Sequence, residues 1–245
     1  MTDTHPPILQ ASQLSKRFGG TVALDSLDLK VEAGEIACLL GANGAGKTTT
    51  MNLFLGFLEP DGGEARVLGR AVTEDPVAAR AATGYVAEVV SLYPSLTGSE
   101  NLDFFHALSG NPPLDRDSRD ALLKSLDFPA AAIDRPVGGY SKGMRQKLGL
   151  AIAVAKGARA ILLDEPLSGL DPKAANDLVA VLRKLADEGT AMLVSTHDIF
   201  RAKELADHIG IMAHGLLLER LDAKSLSAVD LEQLYLRHMA EREVA

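Results

Sequence analysis

The sequence predicts an α/β fold: a mostly parallel sheet flanked by helices, an N-terminal antiparallel β subdomain and an inserted α-helical subdomain. Three observations carry the prediction. Short, wholly apolar runs recur at Ile36–Leu40, Ala160–Leu163 and Ala191–Val194, as strands buried on both faces do. Ahead of and around the first run, segments between Ile8 and Leu68 alternate apolar and polar residues, as in Leu27-Asp28-Leu29-Lys30-Val31. That is the period of half-buried antiparallel strands. From about Tyr93 to Gln146 the pattern is helical instead. Leu102, Phe105 and Leu108 share one face, Asn111-Pro112-Pro113 breaks it, and a second helix follows around Ala121 to Leu126.

A chain of 245 residues can bury a sizeable core, and 47% apolar with 24% charged residues is the ordinary composition of a globular protein. The formal charge of −8, with no long Lys/Arg run, argues against nucleic acid as a partner, since such binding rests on neutralising phosphates. A single cysteine, Cys38, rules out an intramolecular disulfide and suits a reducing compartment. Lying in an apolar run, it reads as a core residue rather than a nucleophile. Met1–Pro7 is polar, ends in two prolines and lacks the layout of a secretory signal; it is expected to be loose. With no apolar run of bilayer-spanning length in the sequence, any link to a membrane is expected to run through a partner.

The first apolar run leads into Gly41-Ala42-Asn43-Gly44-Ala45-Gly46-Lys47-Thr48, followed by Thr49 and a helix-compatible stretch reaching Phe57. This is the P-loop pattern G-x-x-x-x-G-K-[ST] between a strand and a helix, and it defines a P-loop NTPase core. Glycines let successive backbone N–H groups turn onto phosphates, and the helix start adds its positive dipole end. Lys47 supplies a point charge to the β- and γ-phosphates, and Thr48 a hydroxyl to Mg²⁺. The second run ends in Asp164-Glu165-Pro166. A parallel strand delivers its end to the ligand side of the sheet, so Asp164 is placed to hold Mg²⁺ and Glu165 to act as general base on a water. Pro166 is expected to stop the strand. His197, just past the third run, is either a structural histidine or a γ-phosphate contact; its place beside the other strands' ends favours the contact.

Tyr140-Ser141-Lys142-Gly143-Met144 precedes a helix-compatible stretch through Ala155. Taken alone, these residues fit a plain capped helix as well as a second anion site at a helix N-terminus. Together with the P-loop, the Asp-Glu pair and Ser168-Gly169-Leu170-Asp171, the chain resembles the nucleotide-binding subunits of ATP-binding cassette (ABC) transporters, from about Ile8 to at least His214. The family's signature pattern L-S-G-G-Q matches as Y-S-K-G-M, keeping Ser141 and Gly143. Asp171 looks like part of its D-loop, and His197 falls on its switch histidine. Phe18, which by itself reads as core, falls where the family stacks an aromatic ring on adenine. Glu88 stands where the family's Q-loop has glutamine; the resemblance implies a role in catalysis and at the metal, although a carboxylate cannot donate a hydrogen bond as an amide does. Glu88 with the variant signature is similar to the branch containing ABC-2-type and multidrug exporters.

The resemblance implies an ABC ATP-binding domain over residues 8–220, its helical subdomain at about 93–146, and a C-terminal helical extension over 221–245. Leu231, Leu234, Tyr235 and His238 share one face of that extension, which can pack on its own domain or dock on a partner. It also implies a chain that binds and hydrolyses Mg·ATP to power transport, in the export direction, through a separate transmembrane permease on the cytoplasmic face of the cell membrane. In the family, ATP is sandwiched between the P-loop of one subunit and the signature of another, so a second ATP-binding subunit is expected, identical or not. Two other classes fit less well. Chromosome-associated and translation-type ABC ATPases need long coiled coils or two cassettes in one chain. A small-molecule kinase leaves Ser141, Gly143, Asp171 and His197 without a role.

Overall fold

The computed structural model of the chain describes residues 6–243. Most of the stretch expected to be loose, residues 1–5, and the last two residues of the C-terminal extension, 244–245, lie outside the described residues. Two sheets organise the fold. The first is antiparallel, with strands β1 (Leu9–Phe18), β2 (Thr21–Val31), β4 (Gly62–Val67) and β5 (Arg70–Ala71) in the order β2-β1-β4-β5. The alternation read in Leu27–Val31 holds: Leu27, Leu29 and Val31 are buried, and Asp28 and Lys30 are exposed.

The second sheet contains β3 (Ile36–Leu40), β6 (Thr83–Val86), β7 (Ala160–Asp164), β8 (Ala191–Thr196), β9 (His208–Ala213) and β10 (Leu216–Asp222), in the order β10-β9-β3-β8-β7-β6. All its pairings are parallel except that of β10 on β9. Core lies on both faces of this sheet, so β3 has no polar side chain: Ile36, Cys38 and Leu40 join one apolar cluster, while Ala37 and Leu39 join the other. Burial pushes the Cys38 thiol up to about 12, which agrees with its reading as core.

The helices are α1 (Lys47–Phe54), α2 (Pro76–Ala82), α3 (Gly98–Leu108), α4 (Arg116–Ser125), α5 (Lys142–Ala155), α6 (Pro172–Asp187), α7 (Ile199–Leu205) and α8 (Ala228–Glu243). Between β6 and α5 the described elements are helical, forming the inserted subdomain. Three details depart from expectation. α1 stops at Phe54 rather than reaching Phe57, because Gly56 adopts φ +63° and turns the chain in a left-handed C-terminal conformation. The face of α3 expected from Leu102, Phe105 and Leu108 is only partly buried: Leu102 is inaccessible, whereas Leu108 is 68% exposed. Asn101 and His106 fill the buried side instead, and the Asn101 amide nitrogen donates to the carbonyls of Tyr93, Leu96 and Thr97. α4 begins at Arg116, ahead of the Ala121 expected, because Asp115 caps it by accepting from Ser118 N at 2.8 Å.

β10 ends at Asp222, two residues past the boundary expected at residue 220. Leu231 on α8 is fully buried, Leu234, Tyr235 and Met239 pack on the same core, and the His238 imidazole meets Glu219 of β10 at 2.9 Å. This face of α8 is therefore used within the chain. No helix among the described residues is long and apolar enough to cross a membrane.

Candidate functional site

Parallel register places the site. Leu40 of β3 pairs with Thr196 of β8, and Ser195 pairs with Asp164 of β7, so Gly41, His197 and Glu165 all leave the sheet at one carboxyl edge. Val86 of β6 pairs with Leu163, which brings Glu88 to the same edge two residues later. A cleft of about 460 Å³ opens there. Its walls are Asn43 to Thr49, Glu88, Asp164, Glu165, Phe18 and the start of β2 from Thr21 to Ala23.

The P-loop connects β3 to α1. Gly41 approaches β9 so closely that a Cβ would lie 2.3 Å from the Met212 carbonyl oxygen. Gly46 caps α1 at φ 106°, where a Cβ would meet the Ala23 oxygen at 2.7 Å. No side chain accepts from the first N–H groups of α1, whereas Asp75, Thr97, Asp115, Ser141, Asp171 and Asp198 cap the starts of α2 to α7. Those unpaired donors and the positive end of the helix face the cleft, as an anion site requires.

Lys47 is buried, and its Nζ donates to the Gly41 and Ala42 carbonyls at 2.5 and 3.1 Å, with Glu165 Oε1 at 3.9 Å. Burial draws its ammonium below the ordinary lysine value, while Glu165 and Asp164 pull it partly back. Thr48 Oγ1 donates to Asp164 Oδ2 at 3.2 Å. Glu165 has a left-handed backbone, φ 47°, which turns the chain before Pro166 can end the strand. Its Oε1 lies 2.9 Å from His197 Nδ1, and its side chain is 13% exposed against 59% for His197. Glu88 Oε1 accepts from Ser168 Oγ at 3.0 Å and faces Lys142 Nζ at 3.6 Å.

Among the described residues, no group of three or more His, Cys, Asp or Glu side chains is placed to hold a metal alone. The pair Thr48 and Asp164, with Glu88 on the same cleft, fits Mg²⁺ better, since that ion takes few protein oxygens and completes its shell with water and phosphate.

The remaining sequence candidates divide. Phe18 is 49% exposed at the cleft wall rather than core, with Lys16 Nζ 5.7 Å from its ring centre. Ser141, Gly143 and Asp171 are not on the wall of this cleft. Ser141 Oγ accepts from Met144 N at 3.2 Å, Asp171 Oδ1 accepts from Ala174 N at 2.9 Å, and Gly143 packs beside Ala174 and Leu170. Sequence reasoning missed Thr21, Val22 and Ala23, whose types carry no signal. It also missed Ser195, although a serine following the apolar run of β8 was a visible oddity, and it read Ser168 only as part of a motif, not as the partner of Glu88.

Residues 24–168 match the family model described as ABC transporter. The chain is 38% identical over 210 residues to the daunorubicin/doxorubicin resistance ATP-binding protein DrrA of Streptomyces peucetius, covering 86% of this chain and 64% of that protein. The match therefore spans slightly less than two thirds of that relative's length. It is 33% identical over 222 residues to the bacitracin transport ATP-binding protein BcrA of Enterococcus faecalis, covering 89% of this chain and 70% of that one. Among solved structures, cbiO1 from Clostridium perfringens, part of the ABC transporter complex cbiONQ, superposes with a TM-score of 0.81 at 25% identity over 90% of both chains.

Proposed function

This chain belongs to the ABC transporter family, and on that premise we propose that it binds and hydrolyses Mg·ATP as the energy-coupling subunit of an exporter. The observation that carries the proposal is the convergence of Lys47, Asp164, Glu165 and His197 on one sheet edge, facing a helix start with free N–H donors. In this reading the N–H groups of Gly44 to Thr49 cradle the phosphates. Lys47 exchanges its loop carbonyls for phosphate oxygens. Thr48 and Asp164 hold Mg²⁺, with Glu88 beside them. A bound Mg²⁺ would supply positive charge against the phosphate oxygens as their charge develops.

Glu165 takes the proton of the attacking water, and its left-handed backbone keeps the carboxylate directed over the cleft. His197 fixes that carboxylate through the 2.9 Å contact and, being 59% exposed, is open to the γ-phosphate. Phe18, open to solvent, stacks on the base; such contacts are worth roughly 1–3 kcal/mol. Ser141, Gly143 and Asp171 serve a second subunit's nucleotide, which agrees with their absence from the wall of this chain's cleft.

The partners proposed are that second ATP-binding subunit and a membrane-spanning permease that holds the chain at the cytoplasmic face. Support for the permease comes from an open groove lined by Phe57, Tyr85, Phe105 and Leu108, with Phe57 and Leu108 more than half exposed. The drug-resistance and bacitracin-transport relatives support the export direction. The domain reading accompanies this proposal: residues 8–220 as the ATP-binding unit, 93–146 as its helical subdomain, and 221–245 as an extension.

Complementation tests the reading. Wild-type chain is expected to release phosphate from ATP only with Mg²⁺. Lys47→Ala and Ser141→Arg chains are each expected to be inactive alone. In a two-fold dimer, mixing them leaves one intact site per mixed pair, so about a quarter of the wild-type sites return at random pairing. Folded, exchanging chains that retain no nucleotide in the mixture would refute the shared site.

A further inference from the structure

Ser195 lies in the middle strand of three, between β3 and β7, and is completely inaccessible to solvent. Its neighbours along β8 are apolar up to Val194, so a hydroxyl there has no packing purpose. Its bonds account for it. Oγ donates to Asp164 Oδ1 at 2.5 Å and accepts from the backbone N–H of Glu165 at 3.0 Å. The same N–H lies 3.2 Å from the Ser195 carbonyl oxygen. The other oxygen of Asp164 is left to Thr48, at 3.2 Å.

We propose that Ser195 is a positioning residue for both carboxylates of the site. Its single O–H occupies one oxygen of Asp164, which fixes the carboxylate plane and directs Oδ2 towards Thr48 and the metal. Its lone pair holds the N–H of Glu165, which ties down a residue whose φ of 47° is costly for any side chain. One hydroxyl thus sets where the metal ligand points and where the base stands. Alanine keeps the volume nearly unchanged and removes both bonds.

The inference rests on the reading of the cleft as an Mg·ATP site, and its test separates the two. Wild-type and Ser195→Ala chains are compared in three measurements: affinity for a non-hydrolysable ATP analogue in EDTA, Mn²⁺ affinity in the presence of that analogue by electron paramagnetic resonance, and turnover of ATP. Removal of such a supporting contact is expected to weaken Mn²⁺ binding and lower turnover by about 10-fold or more each. Metal-free nucleotide affinity should stay close to wild type. Unchanged Mn²⁺ affinity and turnover overturn the proposal. So does a parallel fall in metal-free affinity and melting temperature, which makes Ser195 a mere prop of the strand. A wild-type chain that binds no nucleotide defeats the reading of the cleft itself; one that binds Mn²⁺ and nucleotide without turnover defeats only hydrolysis, and Mn²⁺ affinity still judges Ser195.

Discussion

Two helix starts in this chain look alike in sequence and are built differently. Both follow a glycine-containing loop, and both read as sites for an anion. α1 begins at Gly46 with no side chain on its first N–H groups, and it faces the cleft. α5 begins at Ser141, whose hydroxyl takes the N–H of Met144, and it does not line that cleft. A missing cap costs about 0.5–2 kcal/mol, so leaving α1 bare sacrifices stability that α2 to α7 all retain. On the proposed function, the difference separates a terminus kept open for a ligand of its own chain from one that is capped and serves a second subunit's ligand.

The comparison can be broken most sharply at the sheet edge opposite α1. Glu165→Gln keeps the shape but cannot accept a proton, so turnover should fall by about 10²–10⁴ while nucleotide stays bound. Near-normal phosphate release would move the base elsewhere, with Glu88 the first candidate. At α1 itself, Lys47→Ala removes the buried cation among the unpaired N–H groups. A charge-assisted contact of about 1.5–3 kcal/mol predicts roughly 10- to 150-fold weaker nucleotide binding by calorimetry. Because burial sets the Lys47 ammonium below the ordinary 10.5, affinity should begin to fall, as pH rises, before an ordinary lysine would discharge.

Smaller effects sharpen the other half. Ser141→Ala should cost about 1 kcal/mol of stability, seen as a lower melting temperature, and leave nucleotide binding by a single chain unchanged. If single-chain affinity falls with it, α5 serves its own cleft and the contrast fails. Glu88→Gln should be smallest for stability, within about 1 kcal/mol, since the contact with Lys142 is half exposed. A magnesium titration of turnover is the informative measurement there. An unshifted curve removes Glu88 from the metal.

The phosphate loop, the Asp164-Glu165 pair and His197 were legible because strand-end position and residue type coincide: apolar runs give the strands, and parallel register does the rest. What was not legible depends on distances between segments. Ser195 and Ser168 became part of the site through partners 31 and 80 positions away. Phe18 reads as core by type, yet the strand carrying it ends beside the cleft and leaves it open. Leu108 completes an apolar helix face on paper, but the buried stripe of α3 runs through Asn101, Leu102 and His106, and Asn101 finds carbonyls to satisfy it there.

The buried thiol of Cys38 has a practical consequence for spectroscopy. It is the sole cysteine of the sequence, buried within β3, and protonated through the pH range in which maleimides react. Dye chemistry should therefore pass over the wild-type chain, and a cysteine placed at an exposed position would be labelled alone without first deleting a core residue. Two such dyes, one beside the phosphate loop and one at the start of α5, would report by energy transfer whether these ends of neighbouring chains approach when nucleotide is added.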